Sequence, residues 1–208
     1  MGKKITSIIA LLCAYCTVFA ANYLTFTAEE DSSSVRIYED ALDDSHVNIQ
    51  YSLDDGQTWK DLVYYRDTVV LAKKGDKVLL KGNNPDGVIP VWGDFRFLMT
   101  GSIAASGSVL SLISETEEDV KPEAVNFRGM FLDCTSLTKA PELPATQLTK
   151  EECYREMFSG CTRLTEAPAL PATQLSERCY TSMFSNCTSL TKAPELPATQ
   201  LASGCYWI

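Results

Sequence analysis

The sequence predicts an α+β chain. An antiparallel β-sandwich-like domain occupies residues 21–113, and a short solenoid of one helix and one short parallel strand per coil follows at 114–208. Two observations carry this. Near-copies of one segment begin at Cys134, Cys161 and Cys187, reading CTSLTKAPELPATQL, CTRLTEAPALPATQL and CTSLTKAPELPATQL at offsets of 27 and 26 residues. Self-similarity at 20–50 residues marks a stack in which each unit buries its apolar face only against its neighbours. Upstream, short runs rich in Val, Ile, Thr, Tyr and Phe alternate with turn residues, the pattern of a small all-β unit.

In chain order, residues 1–20 read as a secretory leader. Met1-Gly2-Lys3-Lys4 is a basic start, Ile5 to Phe19 an apolar core, and Val18 and Ala20 supply the small residues of a cleavage site, so cleavage is expected after Ala20 or Ala21. The apolar run is too short to span a bilayer comfortably, and no membrane insertion is expected once it is removed. The β-domain follows as YLTFTA, SVRIYE, VNIQYS, QTWKDL, TVVLA, DKVLLKG and DFRFLMT. Within it Ser52-Leu53-Asp54-Asp55-Gly56-Gln57-Thr58-Trp59 fits S-x-D-x-G-x-T-W and resembles the Asp-box of sialidases and related propellers. A single copy reads as a hairpin device, with a carbohydrate-binding remnant as the alternative. The acidic stretch SETEEDVKPEA (114–124) reads as the junction.

The repeats are expected at about 126–152, 153–178 and 179–204, with the start of another at 205–208. Met130-Phe131, Met157-Phe158 and Met183-Phe184 precede the copies. Thr149 with Glu152 reads as a capping box and Ser176 as the matching N-cap. Cys153, Tyr154, Met157, Phe158 and Cys161 then recur at helical spacing, as do Cys179, Tyr180, Met183, Phe184 and Cys187. Asp133, Gly160 and Asn186 tolerate a left-handed C-cap and end the helix. The Leu-x-x-Ala-Pro-x-Leu-Pro return is too Pro-rich for a helix, so any parallel strand is confined to the Ser-Leu-Thr stretch before it. Helix, short strand and Pro-bounded return make a leucine-rich-repeat architecture.

The string CYxxMFxxCTxLTxAPxLPATQL resembles the repeat of the BspA-type leucine-rich-repeat surface proteins of host-associated anaerobic bacteria. The likeness covers about 126–208 in detail. It implies an exported, surface-displayed, non-catalytic protein that adheres to host extracellular protein or glycan through its repeats. The other reading is a carbohydrate-binding accessory protein with the repeats as a spacer, for which Trp59 and Trp92 would have to face solvent.

Positions that vary between copies separate surface from frame. They form the trios Ser136/Arg163/Ser189, Lys139/Glu166/Lys192 and Glu142/Ala169/Glu195. Lys139, Glu142, Arg163, Glu166, Lys192 and Glu195 are therefore the expected ligand face, to be weighed against a merely solvated face held by weak surface pairs.

The remaining composition narrows the class. Without Lys3 and Lys4 the chain has 16 basic against 27 acidic residues, a net charge of about −11, which disfavours nucleic acid and anionic membranes. His46 is the lone histidine, and no nucleophile–base pair, phosphate loop or EF-hand spacing stands out, so neither catalysis nor a cofactor or metal is expected. Six cysteines outside the leader fall into the columns Cys134/Cys161/Cys187 and Cys153/Cys179/Cys205 and read as packed thiols. Cys205-Tyr206 restarts the repeat, so the chain reads as a fragment or truncated frame. Leu190, Leu196 and Leu201 would then lie on an uncapped edge that favours self-association.

Overall fold

The computed structural model describes residues 21–39, 47–63, 66–89 and 94–207; the expected leader, His46 and Trp92 lie outside them. The described residues form nine strands, three short 3₁₀ turns and no α-helix. The strands are β1 (Leu24–Ala28), β2 (Ser33–Glu39), β3 (Ile49–Ser52), β4 (Lys60–Asp61), β5 (Val69–Leu71), β6 (Lys77–Gly82), β7 (Phe95–Thr100), β8 (Ile103–Ser106) and β9 (Leu137–Lys139).

They form a six-stranded sheet ordered β4-β3-β6-β1-β8-β9 and a three-stranded sheet ordered β5-β2-β7. Period-two alternation explains the pairing faces. Leu24, Phe26 and Ala28 of β1, Val78 and Leu80 of β6, and Phe95 and Phe97 of β7 are buried, while the residues between them face outward or are half-buried. Phe26 meets Phe97 edge-on across the core, centroids 5.0 Å apart. Every pairing is antiparallel except β8 with β9, where Ile103 lies beside Leu137.

Both sheets continue into the repeats. The Phe97 N–H donates to the Met130 carbonyl, Ile103 to Ser136 and Glu142 to Gly107. Exposed edges of β7 and β8 would be open templates for another chain; here the first repeat covers them. One core runs on from Leu24 through Phe131 and Phe158 to Cys205.

The solenoid of helix plus strand per coil does not form, and the α+β class gives way to a largely β chain. Glu152, the expected capping-box residue, has φ +57°, and Glu156 and Gly160 follow at +57° and +76°. Arg178, Ser182 and Asn186 repeat the pattern in the next copy, so Ser176 caps no helix either. A left-handed residue at every fourth position breaks the run of right-handed φ/ψ that an α-helix needs. The amides divide between two tasks instead. Those of Tyr154, Glu156, Phe158 and Gly160 donate to Cys179, Thr181, Met183 and Ser185 in the next coil. Those of Arg155, Met157, Ser159 and Cys161 close i→i−3 turns onto Glu152, Tyr154, Glu156 and Phe158. Asp133, Gly160 and Asn186 are left-handed, as their residue types suggested, but each ends a run of turns. A strand forms only in the first Ser-Leu-Thr-Lys stretch, as β9.

Stacking of identical side chains replaces helical packing. Phe131, Phe158 and Phe184 lie face to face at 5.3 and 5.7 Å with interplanar angles of 4° and 3°. Tyr154, Tyr180 and Tyr206 do the same at 5.8 and 5.6 Å. Phe97 of β7 starts the first column, stacked on Phe131 at 5.5 Å. Gly160 is required where coils 1 and 2 touch: its φ is positive, and a Cβ there would lie 2.2 Å from Asp133 Oδ1 and 3.1 Å from Asp133 Cα.

Candidate functional site

The proline returns separate where the Met-Phe side holds together. Pro141, Pro144, Pro168, Pro171, Pro194 and Pro197 bring no N–H to a ladder. Coil 1 is nevertheless held to the segment just after β8 by the Glu142 and Val109 amides, and coil 2 to coil 1 by Thr165 N–H to Thr138 O, Thr173 N–H to Thr146 O and Leu148 N–H to Gln174 O. Among the described residues no backbone hydrogen bond joins 191–201 to 164–175. The coils therefore splay progressively. A cleft of about 400 Å³ opens between the first two returns and one of about 790 Å³ between the second and third. Their walls are Pro, Ala and Leu. Leu143 and Leu170 are buried, whereas Leu196 is 47 % exposed.

Five of the six residues expected on the ligand face line these clefts. Lys139, Glu142 and Glu166 border the smaller one, and Glu166, Lys192 and Glu195 the larger. Ala169 lies on the ridge between and lines both. Among the described residues no ion pair within 4.0 Å links the Lys139–Glu166–Lys192 column, so its alternating sign does not bond the coils. The Glu142 carboxylate accepts from Asn22 Nδ2 at 2.8 Å.

Arg163 stands apart. Its guanidinium donates to the Gly101 carbonyl at 3.2 Å and to Ser102 Oγ at 3.0 Å, reaching past coil 1 to the β7–β8 turn. Ser136, its counterpart in coil 1, is buried and donates to Met99 O.

The ion pairs lie on a separate seam. Glu152 gathers Arg155 at 3.1 Å, Arg178 at 3.4 Å and Arg128 at 3.8 Å, one cation from the first repeat and two from the second.

The six described cysteines are all unbridged and buried. Cys134, Cys161 and Cys187 donate to the Phe97, Phe131 and Phe158 carbonyls of the preceding layer at 3.0–3.1 Å. Burial pushes the thiols of Cys134, Cys153 and Cys179 up to about 12 and raises those of Cys161 and Cys187. Such thiols are poor nucleophiles. Among the described residues no three of His, Cys, Asp and Glu converge in a group that could hold a metal. The carbonyl acceptors could not be read from sequence, because they belong to the neighbouring layer.

The S-x-D-x-G-x-T-W segment forms a closed local turn. Thr58 donates through Oγ1 to Asp54 Oδ2 at 2.6 Å and through its N–H to Oδ1 at 2.8 Å, and Ser52 Oγ donates to Oδ1 at 2.7 Å. These bonds, led by the Thr58 hydroxyl, hold the Asp54 carboxyl down at about 2. The Trp59 ring is half-buried, with Tyr23 against it at 4.9 Å and Lys81 Nζ over it at 4.5 Å. Tyr23 and Lys81 thus take up part of the ring surface on which a sugar would stack.

No protein-family model, curated protein or solved structure matches this chain. Among the described residues no helix is long and apolar enough to cross a membrane.

Proposed function

We propose that this chain is an exported, non-catalytic bacterial surface protein of the BspA type that binds host extracellular protein or glycan through its repeats. The clefts between the proline returns carry the reading. They bring Lys139, Glu142, Glu166, Lys192 and Glu195 together on one flank, around apolar walls deep enough to take side chains of a partner. Repeat stacks supply extended binding surfaces of this kind. The carbohydrate-spacer reading is not favoured, because Trp59 is engaged by Tyr23 and Lys81.

Ala169→Trp tests the proposal with one exposed residue that borders both clefts. Purified protein is applied to immobilised host extracellular matrix and to the same surface after enzymatic deglycosylation. The variant, with an unchanged melting temperature, loses binding. Equal binding by wild type and variant refutes the cleft as the site, and the deglycosylated surface separates protein from glycan partners. Self-association belongs to the same proposal. Leu196, Leu201 and Trp207 are exposed, and Leu196 borders an apolar recess of about 260 Å³ lined also by Met183 and Phe184. Light scattering that finds a monomer at high concentration removes that part.

A further inference from the structure

We infer that the clefts take a basic, extended segment of a partner protein, laid across the proline returns with its cationic side chains packed between them. The inference rests on the binding reading above and names the chemistry of the ligand.

Three observations lead to it. The first is the hydrogen-bonding character of the walls. Each return contributes two prolines, so its backbone carries more carbonyl acceptors than N–H donors. A partner rich in donors is matched to such a wall, and a carboxylate is not. The second is charge. The smaller cleft adjoins a third recess of about 350 Å³ through Pro144, and that recess is bordered by Glu117 and Glu118. The smaller and larger clefts share Glu166, Ala169 and Pro171. Along this connected track five carboxylates, those of Glu117, Glu118, Glu142, Glu166 and Glu195, face two ammonium groups, Lys139 and Lys192. The third is shape. Pro, Ala and Leu line the clefts beside exposed Glu142, Glu166 and Glu195, so an Arg or Lys can lay its methylene stem along Pro and Leu while its head reaches a glutamate. No ion pair within 4.0 Å occupies those glutamates among the described residues, so their carboxylates are not committed to a cation elsewhere.

The test uses a short fluorescein-labelled peptide of alternating arginine and leucine, read by anisotropy with the full chain. Comparison peptides carry glutamate or glutamine in place of arginine. The arginine peptide binds on the order of tenfold or more tighter than either, and its affinity falls as salt is raised. Glu166→Lys with Glu195→Lys weakens it on the order of tenfold. Glu30→Lys with Asp86→Lys changes the net charge equally on exposed sites outside the clefts and leaves binding nearly unchanged. Equal binding of all three peptides, no binding of the arginine peptide, or equal weakening by both charge reversals overturns the inference. If Ala169→Trp still abolishes matrix binding in those cases, the binding reading stands and only the ligand chemistry falls. If Ala169→Trp binds both matrix and arginine peptide as wild type does, both fall together.

Discussion

Phe158→Ala probes the ring column that replaces helical packing. Phe158 has no exposed surface and lies between Phe131 and Phe184 at 5.3 and 5.7 Å with nearly parallel planes. Truncating a buried Phe costs about 3–5 kcal/mol in transfer and cavity terms. Two facing rings, each pair contributing about 0.5–1.5 kcal/mol beyond area, place this site near the upper end, at about 4–5 kcal/mol. Phe184 occupies the same column but is half-buried and has one ring neighbour in it, so Phe184→Ala should cost roughly half as much on the same scale. The backbone bonds from Phe158 N–H to Met183 and from Cys187 Sγ to the Phe158 carbonyl survive the substitution, so the difference between variants reports packing. Urea unfolding followed by far-UV circular dichroism measures both, with a double variant to expose coupling between the rings. Equal costs at the two positions, or a Phe158→Ala cost below about 1.5 kcal/mol, well under the cavity range, would refute an in-register ring column.

Three further outcomes are expected. The Tyr154 hydroxyl is buried without a hydrogen-bond partner, and Phe127 fills the equivalent place in coil 1, so Tyr154→Phe should be neutral or stabilising by about 1 kcal/mol in urea; a loss of more than that would reveal a partner for the hydroxyl. Asp54 titrates at about 2 in the fold against an ordinary 3.8, so its contribution is complete above pH 3.8 and is lost as pH falls towards 2. Asp54→Asn should therefore flatten the acid decline of the melting temperature in that window, and parallel declines would count against the turn. Native protein should resist a thiol probe at pH 8, while unreduced denatured protein labels at all six cysteines outside the leader; labelling of two or fewer would show that disulfides join the coils. Because burial raises these thiols above their ordinary 9.0, the stability they lend is complete below pH 9 and fades as pH climbs towards 12.

The strands were legible because their signal is local. Each of YLTFTA, SVRIYE and DKVLLKG is a short β-rich run between turn residues, and each became a strand. The Asp54 turn was legible for the same reason, since Ser52, Asp54, Gly56 and Thr58 satisfy one another within seven residues. The layering of the repeats was legible from their identity, and so were the left-handed sites at Asp133, Gly160 and Asn186. Asking where the copies differ picked out six positions, five of which line the clefts between the returns.

The conformation between Glu152 and Cys161 was decided by tertiary structure alone. Its apolar spacing of 153, 154, 157, 158 and 161 suits an α-helix, which after eight residues is only about 80° out of phase, as well as it suits four-residue turns. The choice rests on where the amides go. A helix would satisfy them inside the segment, whereas the neighbouring coil offers carbonyls in register to every second one. That ladder, with the stacked rings and thiols, outweighs the cost of left-handed Glu152, Glu156, Arg178 and Ser182. Tertiary structure also assigned Arg163 to the β7–β8 turn and made β7 and β8 the first layer of the stack, because both depend on contacts between residues far apart in the chain. The sequence alone specified which side chains repeat, and only the packed neighbours specified the backbone that carries them.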